Sequence, residues 1–206
     1  TNQENVDSII NKVSQHGSID GLINSAAIDP KAESEHLNVG NFGWFSNYPL
    51  ESWCSSLDIN LTGVFIISQA VCRVMERQQP QKGVIVNLCS TYGLVGPDQS
   101  IYQDIAKTQS FYKPVDYSVT KAGILGFTRA LAAMYKGTEI RVNALTPGGV
   151  FNRHTSAFSE KYSDRTILGR MANPTEYGGA IVFLCSDASS YMTGSNLIID
   201  GGWTAL

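Results

Sequence analysis

Apolar positions along the chain fall into two alternating kinds of run. Asn2 to Val13 carries Val6, Ile9, Ile10 and Val13 at helical spacing, and Gly17 stops the run. Gly21-Leu-Ile-Asn-Ser-Ala26 is short and apolar at Leu22 and Ile23, as a buried strand is. Residues 28 to 50 are polar and dotted with Phe42, Trp44, Phe45 and Tyr48, which predicts a long loop. Leu57 to Met75 reads as a helix apolar on more than one face, a helix packed on two sides. Gly83 to Leu88 is a second strand, and a polar loop follows from Tyr92 to about Pro114. Asp116 to Tyr135 is a helix rich in Ala, Leu and Thr. Ile140 to Leu145 is a third strand, closed by Pro147-Gly148. The next loop reaches Pro174, where Pro followed by Glu176 opens a helix to Cys185. Asn196 to Asp200 is the last strand, stopped by Gly201-Gly202. Strands alternating with helices predict an α/β fold built on a parallel sheet, and a single domain spans residues 1–206.

Composition narrows the function classes. Only 16% of the 206 residues are charged, below the roughly 25% of an average soluble domain, which points to surface covered by other subunits. Net charge is −3, with no basic run, so nucleic acid is not an expected partner. No apolar stretch reaches the roughly 18 residues of a membrane span, so no membrane role is expected. Cys54, Cys72, Cys89 and Cys185 have no metal-ligand spacing and read as reduced core thiols of a cytoplasmic protein. His16, His36 and His154 fit no triad or metal pattern and read as structural or surface residues. No metal is expected.

The sharpest chemical signal is Tyr117-Ser-Val-Thr-Lys121. Residues four apart on a helix share a face, and a nearby ammonium favours phenolate over phenol. Such a tyrosine can move a proton at a carbinol or carbonyl oxygen. Ser90 puts a hydroxyl at the carboxyl end of a buried strand, the edge where open α/β sheets hold ligands. Asn60 sits inside an apolar helix, where its amide needs a polar partner or a water chain. Asn24-Ser-Ala-Ala27 ends the first strand with small residues that let a planar ligand approach the backbone.

Together these segments resemble the short-chain dehydrogenases/reductases in their single-domain form. Asn24-Ser25-Ala26-Ala27 is similar to the family's Asn-Asn-Ala-Gly stretch. Trp53 to Gly63 resembles its Trp…Asn-Leu-x-Gly helix, and Ser90, Tyr117 and Lys121 match its catalytic Ser, Tyr and Lys. Arg141-Val-Asn-Ala-Leu-Thr-Pro-Gly148 matches Arg-Val-Asn-x-x-x-Pro-Gly. Pro174 with Glu176, Phe183 to Ser189, Thr193-Gly194 and Asp200-Gly-Gly202 match the closing segment. The resemblance runs from about residue 20 to the end.

The resemblance implies a Rossmann-like doubly wound parallel sheet and an NAD- or NADP-dependent oxidoreductase. Hydride would pass between nicotinamide and a hydroxyl or carbonyl carbon of a small-molecule substrate. Tyr117 would be the general acid/base and Ser90 would hydrogen-bond the reacting oxygen. Lys121 would lower the Tyr117 pKa and hold the nicotinamide ribose, and Asn60 would anchor a water relaying protons to Lys121. Asn24, Ala26, Tyr117, Lys121, Pro147, Gly148 and Val150 would form the cofactor site, and a homodimer or homotetramer is implied. The family's Gly-rich phosphate turn and first three strands do not precede Asn24. About 60 residues are expected upstream, at roughly 30 per βαβ unit. Without them Gly21 to Asn24 would be an exposed apolar edge.

Ser90 and Tyr117 stand 27 residues apart, about twice the family's spacing, the excess lying in Pro97 to Lys113 with Tyr102, Phe111 and Tyr112. The loop from Ile28 to Pro49 is also long, and Asn152 replaces a frequent Thr. Both loops follow strand carboxyl ends, so they are read as a roof over a polar, sugar-like substrate or polysaccharide precursor, or as surface insertions. The long spacing resembles dehydrogenases of surface-polysaccharide and flagellin-sugar pathways. A second reading is a catalytically silent binding or scaffold protein of the same descent.

Overall fold

A computed structural model describes residues 1–30, 43–103, 109 and 111–206. Phe42 and His36 lie outside them. Four strands, β1 (Gly21–Asn24), β2 (Lys82–Leu88), β3 (Glu139–Pro147) and β4 (Asn196–Ile199), form a parallel sheet in the order β1-β2-β3-β4. Asn24 pairs with Asn87 and Asn87 with Ala144, while Pro147 pairs with Ile199, so the strands run the same way and their carboxyl ends, staggered by a few residues, face one edge.

Helices cover both faces, as burial of each sheet face requires. On one face lie α1 (Gln3–Ser14), α3 (Gly63–Met75) and α4 (Val115–Met134), and on the other α6 (Gly178–Cys185). The period-2 alternation of β2 and β3 sorts the side chains between them. Ile85 and Val142 meet Cys72 of α3 and Leu131 of α4. Val84, Val86 and Leu145 meet Ala180 and Leu184 of α6. The Arg141 guanidinium donates to the carbonyls of Leu184, Ser186 and Met192, fastening β3 to the end of α6.

Four expectations change. The helix expected from Leu57 starts at Leu50. It runs as α2 (Leu50–Leu57), a π turn (Asp58–Thr62) and α3 without a break. Ser52, Ser55 and Ser56 hide its first turns from a hydropathy reading. That run, Leu50–Met75, is long and apolar enough by composition to cross a membrane, contrary to expectation. Its apolar residues instead pack against α1, α4 and the sheet, with Ala70, Val71 and Met75 buried in the core. A helix not expected at all, α5 (Ser156–Ser163), lies in the segment read as loop, capped by the Thr155 hydroxyl accepting from the Phe158 amide. Cys72 and Cys89 are core thiols as expected, but Cys54 and Cys185 are exposed.

Candidate active site

The floor of the site is made of strand ends. β2 ends at Leu88, and the next residues, Cys89 and Ser90, turn into a short helical turn, Thr91–Gly93. Gly93 is required there, because a Cβ would lie 2.7 Å from Cys89 Sγ and 2.8 Å from the Lys121 backbone. The close approach sets Ser90 beside α4, which carries Tyr117 and Lys121 on one face. β3 ends at Pro147 and continues into Gly148-Gly149-Val150. A Cβ on Gly148 would lie 2.8 Å from Asp200 Cα, so the turn packs tightly against the end of β4.

A buried polar ladder braces this floor. Asn24 donates to Asn87 Oδ1 at 2.7 Å and to Ser68 Oγ at 3.0 Å, and Asn87 donates to Thr128 Oγ1 at 2.9 Å. The Asn24 side chain therefore acts as a brace between β1, β2 and α3, and Ala26 is exposed just beyond it. Asn60 lies in the π turn. Its amide accepts from Ile28 N at 2.7 Å and donates to Ile28 O at 3.0 Å, and it also bonds Ser56 and Thr120. The polar partner its position demands is thus the chain after β1, not Lys121.

Lys121 is buried and donates to Leu88 O at 2.9 Å. Burial lowers its pKa first of all. Its Nζ is 5.8 Å from the Tyr117 ring centroid. Tyr117 differs from the expectation: burial pushes its pKa above 10, the Asp29 carboxylate adds to the rise, and a hydrogen bond with Ser90 opposes it.

Above the floor opens a cleft of about 600 Å³, lined by Ser90, Tyr117, the turn from Pro147 to Asn152 and a set of aromatic side chains. That volume is in the range of small-molecule sites. The roof comes from residues 94–103, 109 and 111–113 and from α5. Tyr92 and Tyr102 share a hydrogen bond at 3.1 Å. His154 stacks on Phe158 with centroids 5.0 Å apart, and Tyr162 stacks on Trp203 at 4.4 Å. The Gly149 amide donates to the Tyr162 hydroxyl, and Lys161 reaches Gln103 O at 2.6 Å. His154 thus belongs to the cleft wall rather than to an open surface, while His16 is exposed. Two further residues that sequence spacing did not single out enter the cleft, Asp29 and Lys113.

The tyrosine–serine pair, the lysine behind it and the glycine turn opposite occupy the edge where parallel sheets bind nucleotides. A family model described as enoyl-(acyl carrier protein) reductase matches residues 1–204. The chain belongs to the short-chain dehydrogenase/reductase family. The 3-oxoacyl-[acyl-carrier-protein] reductase FabG of Thermotoga maritima is 33% identical over 208 residues, covering 98% of this chain and 73% of that protein. The post-translational flagellin modification protein A of Campylobacter coli is 31% identical over 205 residues, covering 98% of this chain and 75% of that protein. Among solved structures, a Leptospira borgpetersenii short-chain dehydrogenase with bound NAD+ superposes with TM-score 0.84 at 36% identity, over 98% of this chain and 72% of that one. A Burkholderia cenocepacia gluconate 5-dehydrogenase in complex with NADP and tartrate gives TM-score 0.82 at 26% identity, over 100% of this chain and 72% of that one. The chain spans 59% of the length of another matched relative, the FabG reductase of Aquifex aeolicus.

The residues present fit the nicotinamide end of such a cofactor. A phenol and the backbone of a close-packed glycine turn line one cleft, and the buried Lys121 ammonium lies behind the phenol, on Leu88 O. Among the described residues there is no Gly-x-x-x-Gly-x-Gly turn of the kind that cradles a pyrophosphate.

Proposed function

We propose that the protein is an NAD(P)-dependent oxidoreductase acting at a hydroxyl or carbonyl carbon of a polar, polyhydroxylated small molecule. The observation that carries this reading is that Ser90 and Tyr117 line one cleft opposite the Pro147–Val150 turn, with Lys121 one helical turn from Tyr117 on α4. The nicotinamide, when bound, gives or takes the hydride. Tyr117 donates its proton to the substrate oxygen in reduction and takes it back in oxidation. Ser90 hydrogen-bonds that oxygen as charge develops on it. A phenol that carries its proton can donate it in the first of these roles. Lys121 would meet the ribose hydroxyls, and the backbone of Pro147, Gly148 and Val150 the carboxamide. Asn24 and Ala26 would border the cofactor through their backbone. Asn60, whose amide also bonds Ile28, Ser56 and Thr120, would anchor a water that relays protons to Lys121.

The test is NAD+- or NADP+-linked turnover of an alcohol and carbonyl panel by the wild type and by Tyr117→Phe. Loss of turnover in a folded variant supports the assignment, and near-normal turnover overturns it.

A second copy of the chain is the fitting cover for α3 and α4, which leave Phe65, Val115, Val119 and Met134 exposed. Light scattering should give a dimer or tetramer, and a monomer at micromolar concentration would overturn that.

A further inference from the structure

Lys113 and Asp29 lie 84 residues apart in sequence and meet at the cleft as an ion pair. Lys113 closes the long segment between Ser90 and Tyr117, and Asp29 follows β1. The lysine side chain is only 7% exposed, while the aspartate is 38% exposed and lines the cleft. Lys113 Nζ also stands 4.2 Å from the centroid of the Tyr117 ring, on the acid/base itself. A buried lysine is costly unless it is held, and here Asp29 and the Pro30 carbonyl hold it.

We propose that the Asp29–Lys113 pair determines substrate specificity by reading a hydroxyl next to the reacting carbinol, which makes the substrate a vicinal polyol. This rests on the oxidoreductase reading above and names the substrate class for that same site. A hydroxyl both gives and takes a hydrogen bond, so it suits a surface that offers a carboxylate and an ammonium side by side. The more exposed member is the carboxylate, which repels a carboxylate-bearing substrate and leaves a desolvated charge against a purely apolar one. The aromatic walls, Tyr102 and Phe158 among them, offer flat faces for the carbon side of such a molecule. Discrimination built on buried polar groups is large, because an analogue lacking the hydroxyl strands them.

Binding is read separately from catalysis. Saturation-transfer NMR on Tyr117→Phe, with NAD+ present, follows D-threitol, meso-erythritol, tartrate, 2-butanol and a short 3-ketoacyl thioester. The polyols should bind, and tartrate, 2-butanol and the thioester should bind at least about tenfold more weakly. Adding Lys113→Met, or Asp29→Asn with Lys113→Met so that no lone charge is left, should erase the preference while thermal unfolding stays cooperative. In proteins that retain Tyr117, the same substitutions should raise KM for the polyol more than they lower kcat. A preference for tartrate, for the thioester or for 2-butanol overturns the proposal. So does the absence of polyol binding, or an undiminished preference in the double variant. Absence of any NAD(P)-linked turnover by the wild type, with polyol binding intact, would overturn the oxidoreductase reading alone.

Discussion

The cleft has a floor and a roof that are built on different principles. The floor stands on regular elements: Ser90 just past β2, Tyr117 and Lys121 one turn apart on α4, the glycine turn just past β3. Its positions are fixed by ladder pairing and by the ladder of Asn24, Asn87 and Thr128 beneath it. The roof, residues 94–103, 109 and 111–113 with α5, contains no sheet strand among the described residues. It is held by ring on ring and by side chains reaching backbone carbonyls, as Lys161 does to Gln103. A rigid floor suits chemistry that tolerates little displacement. A roof of aromatic and polar contacts suits selection among substrates.

The sharpest way to break that contrast is at Tyr117. If the floor does the chemistry, Tyr117→Phe should cut turnover by about 10²–10⁴-fold with little change in stability. Steady-state rates on the wild type's best alcohol check this. A roof substitution with an equal loss and unchanged KM would erase the distinction.

The second expectation tests the ladder under the floor. Asn87 is fully buried, accepts from Asn24 and donates to Thr128. Asn87→Leu strands one N–H of the Asn24 amide, which keeps Ser68, at about 1–3 kcal/mol, and takes one bond from the Thr128 hydroxyl, which keeps Ile124 O, at about 0.5–1.5 kcal/mol. The expected total is about 2–4 kcal/mol, read by denaturant unfolding. A loss below about 0.5 kcal/mol, the level of an ordinary surface change, would mean the ladder braces nothing.

The same contrast explains what the sequence revealed. Tyr117 and Lys121 are legible because helix periodicity alone puts them on one face, and Ser90 because it ends an apolar run. The sheet is legible for the same reason: its strands are short apolar runs between turn residues. α5 is not, because Ser-Ala-Phe-Ser-Glu-Lys-Tyr-Ser shows no apolar stripe; Phe158 and Tyr162 bury against roof aromatics rather than a sheet. Thr155 at its start was the available signal. The Asp29–Lys113 pair has no local pattern at all, since only tertiary folding brings the two together. The upward shift of the Tyr117 pKa was not legible, because spacing shows the lysine but not the burial.

The smallest expected effect sharpens the contrast through pH. The cleft and its roof are rich in buried phenols: burial pushes Tyr92, in the turn under the roof, up to about 12, and raises Tyr102 and Tyr162 of the roof as well. In the unfolded chain these phenols lose their protons near pH 10, while the folded chain keeps them. Above pH 10 the unfolded state therefore binds fewer protons, and stability falls as pH rises. Below pH 10 both states are protonated and the stability is intact. Tyr92 alone accounts for about 2–3 kcal/mol of the loss by pH 12, since one pKa unit is about 1.4 kcal/mol. Thermal unfolding followed from pH 9 to pH 12, together with phenolate absorbance, should show the roof phenols ionising in step with unfolding rather than before it. Phenolate signal from these residues in a still-folded protein at pH 10 would mean that the roof admits water, and that its aromatic contacts do not close the cleft.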